Sequence, residues 1–154
     1  DYFNFLLFSR NGKYLLALEY DFEIYRTSDW TKVYSGDLSE TDGNYYSAYD
    51  VTWSGDEERL VISTGSNGGK MFEGPDWAEV TGTTSNGYYV AHHPTEDTLW
   101  YMTNEGAVSE YELQDVPLVG KSWVQVQNYN AQYDQTGKMS ISPDGDWIAV
   151  ETSC

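Results

Sequence analysis

"ISPDGDWIAV", residues 141–150, is the stretch on which the fold turns. It reads as a short apolar segment, a polar turn and a second apolar segment, the pattern of two strands joined tightly. Three earlier stretches align with it without gaps: "FSRNGKYLLAL" (8–18), "WSGDEERLVIS" (53–63) and "HHPTEDTLWYM" (92–102), with "ISPDGDWIAVE" (141–151) as the fourth copy. In each, an apolar or aromatic residue (Phe8, Trp53, His92, Ile141) is followed seven positions later by an aliphatic one (Leu15, Leu60, Leu99, Ile148) across a polar turn. The starts lie 45, 39 and 49 residues apart, the period of a repeat architecture.

A second marker recurs out of phase with the first: "DWTKV" (29–33), "DWAEV" (76–80) and "SWVQV" (122–126), with Trp30, Trp77 and Trp123 spaced by 47 and 46 residues. Between the two markers lie "FEIYRT", "GKMFEG" and "AVSEYEL", entered through the turns "EYD", "TGSNGG" and "TNEG". Each period therefore holds four short strand candidates with Gly, Asn, Asp and Ser at the joints, and none shows helical periodicity. The fourth copy supplies only its first two strands. The fold class is all-β.

On these residues the chain resembles a WD-repeat-type β-propeller. The resemblance is carried by the "SPDG"-type turns (Ser142 to Gly145, with weaker versions at Ser9 to Gly12, Ser54 to Asp56 and Pro94 to Asp97) and by the three Trp-bearing fourth strands, and it covers nearly the whole chain. It implies blades of four antiparallel strands. These would be three complete blades near 2–36, 45–83 and 87–128 and the first two strands of a fourth at 137–154, all within one partial propeller domain, 1–154. Propellers close with about four to eight blades, so the remaining blades are expected from a longer chain or from other copies. The start "DYFNFLLFSR" has neither an initiator Met nor a basic leader, which reads as a processed or partial chain.

Strand alternation assigns faces. Leu6/Phe8, Val51/Trp53, Val90/His92 and Met139/Ile141 are expected to pack on one face of each first strand. His92 fills a slot held elsewhere by Phe, Trp and Ile and is read as a core histidine. Its neighbour His93 replaces the Ser of the turn, so the pair points to opposite faces, and no metal site is assigned. The fixed place of the three tryptophans predicts packing between blades. Cys154 is read as an incidental or buried thiol. Asp37, Glu40 and Asp42 do not match the calcium-loop spacing and are read as a solvated loop.

Composition limits the function. With 40% hydrophobic and 16% aromatic residues in 154, a packed domain is expected, and no apolar run reaches the roughly 18 residues of a membrane span. Twenty-five acidic against eight basic residues leave a net charge of -17, which argues against nucleic acid, because phosphate binding rests on Lys and Arg replacing counterions. The carboxylates are scattered, giving a solvated, repulsive surface. One Cys and no glycosylation sequon give no sign of secretion and leave the compartment open; the acidic, Lys-poor composition leans to high salt or an exposed extracellular or surface setting.

The connections from fourth strand to next blade, "SGDLSETDGNYYSAY", "GTTSNGYY" and "QNYNAQYDQTG", all combine Asn with Tyr. Asp37, Asp42, Asn44, Tyr45, Tyr46, Asn86, Tyr88, Tyr89, Asn128, Tyr129 and Tyr133 are the candidate binding residues of this rim, with Tyr49 and Asn130 beside them. Tyrosine rings and amides are the chemistry of recognition surfaces. The opposing reading aligns Tyr49 with Tyr88 as the first inward residue of their strands, capping the core. No catalytic constellation and no cofactor site emerge. The favoured function is a non-enzymatic scaffold or binding module for a protein or glycan. The alternative is a carbohydrate-active hydrolase or lyase with Asp37, Asp42, Asp50 or Asp134 at the channel mouth, for which no paired carboxylates of defined separation are evident.

Overall fold

A computed structural model describes residues 5–19, 21–38, 47–65, 68–80, 87–103, 105–117, 120–130 and 136–152. These form fourteen strands: β1 (Phe5–Phe8), β2 (Tyr14–Leu18), β3 (Asp21–Arg26), β4 (Thr31–Asp37), β5 (Asp50–Trp53), β6 (Arg59–Ser63), β7 (Gly69–Glu73), β8 (Ala78–Val80), β9 (Tyr89–His92), β10 (Thr98–Met102), β11 (Ala107–Val116), β12 (Gly120–Asn130), β13 (Thr136–Ile141) and β14 (Ile148–Thr152). They order as three antiparallel sheets, β1-β2-β3-β4, β5-β6-β7-β8 and β9-β10-β11-β12, and a two-stranded sheet β13-β14. The all-β architecture of four-stranded antiparallel blades is therefore present, with two strands described for the fourth.

The seven-residue spacing has a direct structural meaning. Phe8 faces Leu15, Trp53 faces Leu60, His92 faces Leu99 and Ile141 faces Ile148 as Cα partners. Each turn between these partners is closed by the same backbone bond, from Ser9, Ser54, His93 or Ser142 N–H to the carbonyl of Tyr14, Arg59, Thr98 or Trp147. In three of them the serine Oγ also accepts the returning amide of Tyr14, Arg59 or Trp147, at 2.9 to 3.0 Å. His93 does the equivalent work with its ring: Nδ1 accepts from the Thr95 and Glu96 amides. Gly12 and Gly145 take the left-handed position that the turn requires, at φ 73 and 87. In the second sheet that position is held by Glu57 at φ 62, a costly conformation for a residue with a Cβ. There the buried Glu57 carboxylate accepts the Asn11 amide of the first sheet's turn.

The sheets stack face to face, and each junction is one apolar cluster. Leu16, Leu18, Phe22 and Ile24 of the first sheet meet Val51, Trp53, Leu60, Ile62, Phe72 and Trp77 of the second. Val61 and Met71 of the second sheet meet Val90, Leu99, Tyr101, Tyr111 and Trp123 of the third. Ala91, Trp100, Met102 and Val108 of the third meet Met139, Ile141, Ile148 and Val150. Alternation thus gives every full blade two apolar faces, which is why its central strands read as continuous apolar runs rather than as hydrophobic-polar alternation.

Two expectations need correction. Leu6 and Phe8 do not pack: they are 66% and 56% exposed, whereas their counterparts Val51 and Trp53 are buried. The counterparts are covered by the first sheet, and no sheet among the described residues covers Leu6 and Phe8. Trp30 and Trp77, moreover, lie in the turns before β4 and β8 rather than in the fourth strands, both at φ 55. Only Trp123 lies within its fourth strand, β12.

Candidate functional site

First strands lie side by side, and side chains of β5 satisfy the free amides of β9. Asp50 Oδ2 accepts from Val90 N–H at 3.1 Å and Thr52 Oγ1 from His92 N–H at 3.3 Å, while Asp50 Oδ1 accepts from the Val51 amide. Burial pushes the Asp50 carboxyl above the ordinary carboxylate range, opposed by the Val90 and Val51 amides and by Lys138. Both oxygens accept backbone amides, so Asp50 joins two blades.

At the entry to these strands the second and third sheets are locked together by glycines. Gly65 and Gly87 form an antiparallel bridge, with Gly87 N–H donating to Gly65 O at 3.1 Å and Ser63 Oγ donating to Gly87 O. A Cβ on Gly65 would stand 2.9 Å from the Tyr49 ring, and one on Gly87 would stand 2.6 Å from Tyr101. This close approach brings Tyr49 and Tyr88 into edge-to-face contact, with ring centroids 4.7 Å apart at 74°. Tyr49 is 47% exposed and Tyr88 half-buried. They do not cap the core. They form a ring pair on the rim, each just after the connection from a preceding fourth strand.

The other predicted rim residues separate into three groups. Tyr89 and Tyr129 are the ends of one cross-strand row, Tyr89, Met102, Val108 and Tyr129, on the face of the third sheet that meets β13 and β14. Tyr89 is half-buried against that cluster. Tyr129 is exposed at the border of a recess of about 400 Å³ lined with Trp100, Glu110, Ile148 and Val150. Its hydroxyl donates to Glu110 Oε2 at 2.9 Å, and that bond holds the phenol above its ordinary range. Asn128 is exposed within β12, and Asp37 is exposed at the end of β4, so neither lies in a loop. Asp42, Asn44, Tyr45, Tyr46, Asn86 and Tyr133 lie outside the described residues, as do Glu40, Asp134 and Cys154.

At the opposite end of the same strands the four first-strand turns converge. Arg10 donates from Nη1 to Pro94 O at 2.8 Å and from Nη2 to Pro143 O at 3.0 Å. Added Cβ atoms would collide with the Pro94 carbonyl at Gly55 and with the His93 ring at Gly145. Between these turns is a recess of about 250 Å³ bordered by Arg10, Trp53, Ser54, His92, Ile141 and Ser142. His92 is buried edge-on to Trp123, and burial lowers its pKa from the ordinary histidine value. The turn hub is the part of the molecule that the sequence reading missed. The aligned polar turns, Ser-x-x-Gly at Ser9 and Ser142 and variants of it at Ser54 and His93, marked four similar turns, and only the stacking of the sheets shows that they meet.

Among the described residues no cluster of three or more His, Cys, Asp or Glu is arranged to hold a metal ion, and no helix is long and apolar enough to cross a membrane.

Stacked four-stranded antiparallel sheets, with first strands side by side and turns gathered at one end, are blades of a WD40-like β-propeller fold, of which this chain holds a part. Solved structures agree. The chain is similar to the WD40 repeats of RRP9 (TM-score 0.66, 11% identity, 87% of this chain and 40% of that one). It matches U3-55K (0.66, 11%, 87% and 41%) and a chain of the mitotic checkpoint complex (0.73, 13%, 96% and 46%) comparably. The chain thus spans less than half the length of these structures. No family model and no curated protein matches it.

Proposed function

We propose that the chain is a non-enzymatic protein-binding module that engages its partner through the rim carrying Tyr49 and Tyr88. The observation behind this reading is the half-exposed ring pair held by the Gly65–Gly87 bridge. Fixed tyrosines offer large amphipathic contact area at little cost in conformational entropy. The net charge of -17 favours a partner with a basic surface, since complementary potentials steer encounter. A protein is preferred to a glycan because the two rings stand edge to face, without the flat platform on which a sugar ring stacks. A structure of similar fold is a chain of the mitotic checkpoint complex, a multi-protein assembly, and this analogy of fold supports a protein partner.

A peptide array of basic sequences probed with the chain tests this, with hits measured again by fluorescence anisotropy. The double variant Tyr49→Ala/Tyr88→Ala is expected to lose at least tenfold in affinity at an unchanged melting temperature. Equal binding by the folded double variant would sink the proposal.

A further inference from the structure

We infer that β14 and the recess beside it dock an extended segment of a partner protein, which adds to the sheet as a third strand, seats an aromatic side chain opposite Ile148 and carries basic residues. This surface lies at the junction of the third and fourth sheets and does not depend on the Tyr49–Tyr88 pair.

The three complete sheets show what such a strand requires. Across the first three strands of each, the anchor row runs Phe8, Leu15, Tyr25 in the first sheet, Trp53, Leu60, Phe72 in the second and His92, Leu99, Tyr111 in the third. The third-strand member is aromatic each time. Phe72 lays its ring on the preceding sheet, with its centroid 4.6 Å from that of Phe22 on β3 and 6.3 Å from that of Tyr34 on β4. Tyr111 likewise joins Met71 of β7 in one apolar cluster. In the fourth sheet the row consists of Ile141 and Ile148, and among the described residues β14 pairs with β13 alone. Beside Ile148, against β11 and β12 of the preceding sheet, is the recess of about 400 Å³ lined by Trp100, Val108, Glu110, Tyr129 and Val150. It corresponds to the place that Phe72 and Tyr111 fill at the other two junctions.

The backbone of β14 suits the same addition. Ser142 N–H donates to Trp147 O, so by antiparallel alternation the N–H and C=O groups of Ile148 and Val150 point away from β13. An open edge of this kind is a template for an added strand, whose main-chain bonds give affinity while the side-chain recess gives specificity. Charge selects the partner. Glu110 and Asp146 border the recess, and no Lys or Arg is among its lining residues. A second copy would bring a further net charge of -17 to this edge, whereas a segment with Lys or Arg flanking its aromatic residue is drawn to both carboxylates.

The test follows the Ile148 and Val150 amides by NMR and hydrogen exchange while the whole chain is titrated with the blocked peptide Lys-Val-Thr-Phe-Thr-Val-Lys. Both amides are expected to shift saturably and to gain protection from exchange. The peptide with Ala in place of Phe, and the one with Glu in place of both Lys, are each expected to bind at least tenfold more weakly. Val150→Pro removes an outward amide without touching the β13 ladder and is expected to cost at least tenfold in affinity. No saturable shift at these two amides, or equal affinity for the Phe and Ala peptides, would overturn the proposal. Equal affinity for the Glu peptide would overturn the basic partner, and undiminished binding by folded Val150→Pro would overturn the role of the edge. Protection of both amides without peptide would overturn the assignment to a partner: growing with chain concentration, it would give the edge to a second copy, and independent of concentration, to another segment of this chain.

Discussion

Trp30 and Trp77 occupy the same left-handed turn position, both at φ 55, yet Trp30 is 60% exposed and Trp77 1%. In the first of these turns Asp29 Oδ1 accepts the Thr31 amide and its carboxylate pairs with Arg26. A bulky residue in that conformation costs about 1–2 kcal/mol. Trp77 offsets the cost by packing edge-on against Tyr14 and Trp53 across the junction of the first two sheets. Trp30 has no sheet against it among the described residues. The same change should therefore act in opposite directions. Trp77→Gly is expected to lose about 3 kcal/mol, a core truncation partly offset by relief of the turn, whereas Trp30→Gly should leave stability level or raise it by up to about 1 kcal/mol. Urea unfolding of both variants checks this; a loss of about 2 kcal/mol or more from Trp30→Gly would show the first sheet's outer face to be covered in solution.

That contrast also shows what the sequence carries. Phe8 and Trp53, or Trp30 and Trp77, are indistinguishable by repeat position, because the repeat encodes a blade and says nothing of its neighbours. Strand number, the seven-residue register and the paired faces were legible, since each depends on short-range alternation and turn chemistry. The turn hub and the Tyr49–Tyr88 pair were not, because they arise from the angle at which whole sheets stack. The expectation of Trp30 and Trp77 within strands has a local origin: "DW" followed by Thr-Lys-Val or Ala-Glu-Val reads as continuous extended chain unless a positive φ at Trp is foreseen.

Gly12 and Gly145 give a second contrast between conformation and contact. Both hold positive φ, but a Cβ at Gly12 would meet open space, while one at Gly145 would run into the His93 ring. That ring cannot turn aside without abandoning the Thr95 and Glu96 amides. Gly12→Ala should cost about 1 kcal/mol, the left-handed penalty alone. Gly145→Ala should cost about 2–4 kcal/mol, since overpacking is added. Thermal melts of the pair would refute the hub geometry if the two losses were equal.

Arg59 is the buried cation of the interblade contact. It lies 3.1 Å from Glu73 Oε1, 2.6 Å from Asp97 Oδ1 of the third sheet's turn and 3.6 Å from Asp56. The arginine is buried, but all three carboxylates reach solvent. Removing the arginine therefore leaves hydrated acids, and Arg59→Ala should cost about 2 kcal/mol, mainly lost packing and forked hydrogen bonds. Removing Asp97 leaves Arg59 with Glu73 and Asp56, so Asp97→Asn should cost under about 1 kcal/mol. Chemical denaturation at low and high salt gives the comparison; a larger loss for Asp97→Asn would contradict this ranking.

His92 makes stability depend on pH in a predictable direction. Burial lowers its pKa, with Arg59 acting the same way, against the His93 carbonyl and the carboxylates of Asp97 and Asp56. An imidazole depressed in the fold takes up its proton more readily when unfolded. Its contribution is thus intact above the ordinary value of 6.5 and lost as pH falls below it, by at most about 1.4 kcal/mol per pH unit. His92→Phe cannot take up that proton. The difference in unfolding free energy between the two chains should be flat from pH 8 to 7 and then shift in favour of His92→Phe down to pH 5.5, where most carboxylates are still ionised in both. Urea midpoints across that range measure it. A constant difference throughout would mean that His92 titrates alike in the folded and unfolded chains, and the opposite slope would mean that the carboxylates of Asp56 and Asp97 outweigh burial.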